Sequence, residues 1–230
     1  MARLPRLSLG RVAHLVLLRG HNGEAVFRDD DDRQAFLDAL QAAFDREQVA
    51  LHAYALLVDR VWLLCTPQHD QDLSRAMQSL GRRFAAAFNR RHSRSGSLWD
   101  GRFRSTVVEP GRTLLSAMVF VDQSESAGAS PDGAEQTPSR WSSARQHLGF
   151  DGPMQLKDIA EYWALGNTPF DRASAYHDLL GESARASDLE RITSAARKGW
   201  ALGSNEFVGE LGVRTDRPLQ PRRRGRPRAA

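Results

Sequence analysis

The side chains of this 230-residue chain that are best placed by number and spacing to do chemistry are arginines. Between Arg75 and Arg104 the sequence carries Arg75, Arg82, Arg83, Arg90, Arg91, Arg94, Arg102 and Arg104 against Asp100 alone, a local net charge of +7. A second concentration, Arg222, Arg223, Arg224, Arg226 and Arg228, falls in the last nine residues beside no acid. The whole chain nets only +4, so residues 1–221 net −1 and both concentrations stand on an acidic background. Focused positive charge gains free energy by releasing counterions from a phosphate backbone, so the expected partner is a polyanion. Residues suited to metal or covalent chemistry are less well arranged. His52, His69, His92 and His147 are scattered, none forms an alternating pair with another, and surface or capping roles are expected. Asp29 to Asp32 are consecutive, which suits helix capping better than a metal cluster. The single cysteine, Cys65, excludes a disulfide framework and a cysteine-cluster zinc site.

The elements that must position these arginines follow from hydrophobic periodicity. His14 to Arg19 is a short apolar run ended by Gly20, a strand. Phe36, Leu37, Leu40 and Phe44 form one face of a helix that starts at the Asp29–Asp32 run. Leu51 to Leu57 and Val61 to Thr66 are strands of a hairpin closed by Pro67. Asp70 to Arg91 is a helix with Leu73, Met77, Leu80, Phe84 and Phe88 on one stripe and arginines on the other. Phe103 to Glu109 is a fourth strand, and Thr113 to Gln123 a third helix capped by Thr113. This β-α-β-β-α-β order is the split βαβ, ferredoxin-like pattern of an α+β fold, with helices on one sheet face and the other face free for a ligand.

Residues 1–125 therefore form the core, 126–140 a Ser/Gly/Ala/Pro-rich linker, and 141–213 a small helical region. The helices expected there are 141–148, 155–165, 171–180, 184–198 and 205–211, with Trp200 packing inward from a turn. From Arg214 the apolar periodicity stops and 214–230 reads as a basic disordered tail. Its Arg-Gly-Arg-Pro core is similar to AT-hook peptides, although a generic electrostatic anchor is the simpler reading. With 26% charged and 41% hydrophobic residues, and no apolar run of about 18, the composition is that of a globular protein without a membrane span. The absence of a secretory leader pattern makes a reducing cytoplasm the expected location.

Residues 51–67 (LHAYALLVDRVWLLCTP) resemble the metal-site hairpin of the REP-associated tyrosine transposases, small HUH-type single-strand DNA nucleases of bacteria. The resemblance continues in order through Arg19-Gly20-His21-Asn22, Leu98-Trp99-Asp100-Gly101-Arg102-Phe103-Arg104-Ser105, Trp141-Ser142-Ser143, Trp163-Ala164-Leu165-Gly166 and Gly199-Trp200-Ala201-Leu202-Gly203. It implies the ferredoxin-like core read above. It also implies two histidines alternating on a strand that hold Mg or Mn against the scissile phosphate. A tyrosine on the following helix attacks that phosphate and leaves a phosphotyrosine.

At the positions that do this chemistry the sequence departs from the family. The histidine positions fall on Arg60 and Trp62, the tyrosine position on Phe120, and an amide residue that helps hold the metal on Ser124. A guanidinium has no acceptor, an indole only a donor, and a phenyl ring no attacking oxygen. The expectation is a transposase-like DNA-binding protein without nicking activity and without a metal cofactor. Its expected partner is hairpin-forming repeats or single-stranded DNA, bound by the arginines of 75–104 and of the tail, and the chain is expected to be a monomer. The alternatives are an active nuclease with a rewired site, and an RNA- or partner-binding module that uses the open sheet face.

Overall fold

Each long apolar run of the first half forms the element its period predicts. The computed structural model describes residues 6–126, 139–182 and 186–221. Strands β1 (Ala13–Arg19), β2 (Val49–Leu57), β3 (Arg60–Pro67) and β4 (Arg104–Val108) form one antiparallel sheet in the order β2-β3-β1-β4. Helix α1 (Asp30–Arg46) joins β1 to β2, and α2 (Asp72–Arg91) joins β3 to β4. The chain is thus α+β with the split βαβ order. Asp29 caps α1 by accepting the Asp32 N–H, and Asp32 in turn accepts the Arg28 N–H, as the acidic run foretold.

Helices α1 and α2 cover one sheet face, burying Phe36, Leu40, Phe44, Leu80, Phe84 and Phe88 over Val16, Leu18, Val61 and Leu63. The other face is not free. Helix α3 (Arg112–Ser126) and residues of the C-terminal half bury Leu15, Leu17, Ala53, Ala55, Trp62 and Leu64 beneath Met118, Phe120, Ile159, Tyr162, Tyr176 and Ile192. The reason lies in the strands themselves, which are apolar on both faces, and such strands need cover on both sides. A bulge between Leu51 and Ala53 re-aims β2 so that Leu51 and Ala53 point to opposite cores.

The second half of the chain contributes short helices α4 (Ala144–His147), α5 (Ala160–Trp163) and α8 (Asn205–Gly212), and longer α6 (Pro169–Gly181) and α7 (Ala186–Lys198). The helices expected over 141–148 and 155–165 are shorter because their first residues serve the sheet edge instead. The Leu56 N–H donates to the Trp141 carbonyl at 2.9 Å, and the Ser143 and Lys157 N–H groups donate to Tyr54 and Leu51 at 2.9 and 2.7 Å. At the opposite edge the Leu202 N–H donates to Val107 and the Glu109 N–H to Leu202, both at 2.9 Å. Both edges are thereby occupied. Helix α3 begins at Arg112, so Thr113 lies inside it and is not its cap.

Trp200 is half-buried, and Leu202 is the residue of its turn that packs inward. Residues 214–221 stay on the fold: Leu219 is buried with Leu7, Leu9, Val107, Phe207 and Leu211, and its carbonyl accepts the Ala201 N–H at 3.0 Å. Most of the expected linker, residues 127–138, and Arg222, Arg223, Arg224, Arg226 and Arg228 lie outside the described residues.

The histidines also differ from expectation. His14 and His147 are buried, and so is His52, whose imidazole is held between the Lys157 carbonyl and the Thr66 hydroxyl. On α3, the fully buried Asp122 accepts hydrogen bonds from His147 Nδ1 and the Tyr176 hydroxyl, both at 2.6 Å, and from Ser143. Tyr162 donates to the His147 carbonyl at 2.7 Å. One carboxyl group thus ties α3 to the β2 edge, α4 and α6. Asp122→Ala leaves the buried His147 Nδ1 and the Tyr176 hydroxyl without an acceptor and is expected to cost about 3–5 kcal/mol in urea unfolding, against about 1–3 kcal/mol for Tyr176→Phe. Equal losses in the two variants would contradict the central position of the carboxyl group.

His14 gives a pH dependence. Its Nε2 lies 3.0 Å from the Leu9 carbonyl, its Nδ1 is buried without a partner among the described residues, and burial lowers its pKa from 6.5 to about 4. The folded state therefore binds fewer protons than the unfolded chain between pH 4 and 6.5. Its stabilising contribution is complete above pH 6.5 and is lost as the pH falls to about 4. At about 1.36 kcal/mol per pKa unit the loss is roughly 3 kcal/mol. Unfolding free energies measured across that window should fall less steeply for His14→Gln, and an equal fall would exclude His14 as the cause.

Candidate nucleic-acid interface

Alternation along β3 puts Arg60, Trp62 and Leu64 on the face covered by α3. Trp62 and Phe120 meet there, ring centroids 5.0 Å apart and planes at 81°, both at most 9% exposed. Ser124 donates its hydroxyl to the Phe120 carbonyl at 2.6 Å, a bond within its own helix. The Arg60 guanidinium is held by the neighbouring Asp59 through Nε at 2.7 Å and Nη2 at 2.9 Å. The structure thus brings Trp62 and Phe120 together and fills the space between them with aromatic carbon. A divalent cation does not fit these residues: one is a cation itself, one offers only an N–H, and the ring contact leaves no room for a hydrated ion.

Among the described residues, His, Asp, Glu and Cys side chains gather with metal-like spacing at Asp29, Asp32 and His92. Arg91 already supplies the positive charge there, its guanidinium 2.6 Å from Asp29, 2.5 Å from Asp32 and 2.9 Å from Asp31. Arg91 holds the Asp29 carboxyl down to about 2. This cluster joins the start of α1 to the end of α2, where both helix dipoles favour these signs.

The arginines of 75–104 divide into four groups, of which half-buried Arg104 forms one, donating to the Arg197 carbonyl at 3.3 Å and lying 3.8 Å from Asp100. Arg75, Arg91 and Arg94 are paired with acids: Arg75 with Glu47 and Asp72, both at 2.6 Å, and Arg94 with Glu24 at 2.7 Å. Arg83 and Arg90 are exposed on α2, away from the groove that their neighbours line. Arg82 and Arg102 are exposed, make no hydrogen bond or ion pair among the described residues, and face one groove of about 750 Å³ with Arg75 and Arg6. The seven-residue spacing of Arg75 and Arg82 is what puts both on one side of α2. The loop 96–103 forms the opposite wall. Trp99 closes its base, with its indole N–H donating to the Gly81 carbonyl at 3.2 Å, and Phe103 lies under the Arg6 guanidinium at 3.8 Å. Gln71, Ser74 and Gln78 place neutral polar groups on the α2 wall.

Past Arg102 and Phe103 the groove continues into a cavity of about 370 Å³ lined by Arg104, Arg197, Lys198 and Arg217. Sequence reading did not select Arg6, Arg197, Lys198 or Arg217. They come from three separate segments, and only the basic end of α7 before Gly199 carried a local signal.

No protein-family model matches the sequence, and no curated protein matches it. Among solved structures, a REP-associated tyrosine transposase bound to a REP hairpin superposes with a TM-score of 0.54 at 12% identity, over 70% of this chain and 96% of that one. The two share a fold. A Deinococcus radiodurans protein described as a transposase gives a TM-score of 0.36 at 22% identity over 47% of this chain and 88% of its own. A bacterial tRNA(His) guanylyltransferase-like protein in complex with GTP gives 0.38 at 16% identity, over 55% and 66%.

Truncating Trp62 or Phe120 opens a cavity in the second core. Trp62→Ala is expected to lower the unfolding free energy by about 3–5 kcal/mol, as is Phe120→Ala. The double variant should lose less than the sum, by about 0.5–1.5 kcal/mol of ring–ring coupling. Additive losses would mean that the two rings do not pack on each other.

Proposed function

We propose that the chain is a transposase-like DNA-binding protein that does not nick its substrate. The observation that carries this reading is the contact of Trp62 with Phe120 at the positions where the family resemblance expects a metal ligand and the nucleophile. Neither side chain can hold a cation or attack phosphorus, and each stabilises the core in its present form. Binding rests on Arg82 and Arg102 beside the α2 groove, which have no ion-pair or hydrogen-bond partner among the described residues. Guanidinium groups without acids pair well with phosphate oxygens, in a mode that positions the backbone without reading its sequence. The transposase that shares this fold was solved bound to a REP hairpin, so hairpin-forming or single-stranded DNA is the proposed partner here. The tail arginines 222–228 are proposed to add electrostatic affinity.

The test is a gel shift on repeat-derived hairpins run beside a nicking and crosslinking assay with Mg or Mn. The chain should shift the hairpin with affinity that falls steeply as salt rises, and form no covalent adduct. Arg82→Glu with Arg102→Glu should weaken binding by about tenfold or more. Phe120→Tyr alone should still form no adduct, because the cation site remains filled. Metal-dependent cleavage by the unaltered chain would overturn the non-nicking reading, and salt-independent binding would overturn the interface.

A further inference from the structure

We infer that the cavity between the start of β4 and the end of α7 is a phosphoryl-binding pocket. The inference deepens the DNA-binding reading and rests on it for the source of the phosphate, though not for the chemistry of the pocket. Six cationic side chains, Arg6, Arg102, Arg104, Arg197, Lys198 and Arg217, line about 370 Å³ together with one acid, Asp100. Asp100 approaches Arg104 only to 3.8 Å. Cations at the end of α7 complement its dipole, which explains Arg197 and Lys198 but not the three arginines brought in from β4, its preceding loop and residue 217.

Arg217 is the group in the pocket that points most directly to an anion ligand. It is half-buried, and burial lowers its pKa, which records the cost of desolvating its charge. Its Nη2 donates to the Gly199 carbonyl at 2.6 Å, while its Nε is buried with no partner among the described residues. Gly199 makes the arrangement possible: its φ is +69°, and a Cβ there would lie 2.9 Å from Arg217 Nη2. Arg104 donates to the Arg197 carbonyl at 3.3 Å, which holds β4 against the last turn of α7. Arg102, Arg197 and Lys198 have no polar side-chain partner among the described residues. Mutual repulsion on this scale is offset by an anion with acceptors in several directions. A tetrahedral phosphoryl group presents oxygens to donors from three segments, which a planar carboxylate does less well. The pocket shares Arg6, Arg102 and Phe103 with the α2 groove, so a strand lying in the groove can deliver either an internal phosphodiester or a terminal phosphomonoester.

The full chain is tested with three probes: pyrophosphate alone, and single-stranded oligonucleotides ending in a 5′-hydroxyl or a 5′-phosphate. Arg217→Gln and the exposed pair Arg197→Gln with Lys198→Gln alter the pocket, and Arg82→Gln alters only the groove. Pyrophosphate should raise the melting temperature of the unaltered chain and of Arg82→Gln, and raise it much less in the pocket variants. Oligonucleotide affinity should fall about tenfold in the pocket variants, and the slope of log K against log salt should shrink by about 0.7 for each phosphate that is no longer neutralised. A 5′-phosphate gain that the pocket variants abolish assigns a terminal group, and equal affinity for both oligonucleotides assigns an internal one. Pocket variants that respond to pyrophosphate and DNA like the unaltered chain overturn the pocket. If Arg82→Gln still weakens DNA binding in that case, the DNA-binding reading survives. A pyrophosphate response confined to intact pockets in a chain that binds no DNA leaves the pocket standing and overturns that reading.

Discussion

The structure depends on a sheet that is apolar on both sides. β1 and β3 read HLVLLR and RVWLLCT with scarcely a polar residue between their ends, so neither face can be left to water. Helices α1 and α2 cover one side, as in any split βαβ unit. The second side is covered by α3 together with α5, α6 and α7, while Trp141 and Met154 of the same half pack on the first side. Burial on that side makes the C-terminal half part of the core, and its backbone then completes both sheet edges at Trp141–Ser143, Lys157 and Leu202.

The second core is built around an aromatic contact. Trp62 sits among Leu17, Ala55, Leu64 and Phe120. A charged ion placed there would lose its hydration to apolar neighbours, a cost far above any single ligand bond. The indole makes no such demand and contributes buried aromatic surface. Two residues beyond Phe120, Asp122 fixes the same helix through Ser143, His147 and Tyr176. Helix α3 is therefore anchored by a polar knot near its end and an aromatic contact one half-turn earlier.

The strand and helix order of the first half was legible because those segments obey their periods and caps: Phe36, Leu37, Leu40 and Phe44 on α1, Asp29 at its start, and the arginine and phenylalanine stripes on α2. The covered second face was also present in the sequence, as strands without alternation, but the split βαβ pattern suggested an open face and outweighed it. The short helices were misjudged because Trp141–Ser143 and Lys157 take part in edge pairing, a role that no local period encodes. His147 and Asp122 stand 25 residues apart with residues 127–138 between them, so their hydrogen bond had no signature in spacing. The contact of Trp62 with Phe120 joins β3 to α3 and had no signature in local spacing.

Charge in this molecule is sorted by where acids stand. The acidic run 29–32, needed to start α1, absorbs Arg91 and half-buried His92 at the far end of α2. Glu47 and Asp72 absorb Arg75, and Glu24 absorbs Arg94. A count of arginines between 75 and 104 therefore overstates the charge available to a polyanion, since a guanidinium already paired releases few counterions on binding. Among the described residues, the cations without an ion pair include a band from Arg82 through Arg102 to Arg197, Lys198 and Arg217, crossing from α2 over the start of β4 to α7. Its continuity does not come from any one stretch of sequence. It exists because the two-sided sheet requires the C-terminal half to pack back onto β4, and that packing carries the basic end of α7 to the groove. The same burial that packs Trp62 against Phe120 thus builds the surface proposed to hold phosphate.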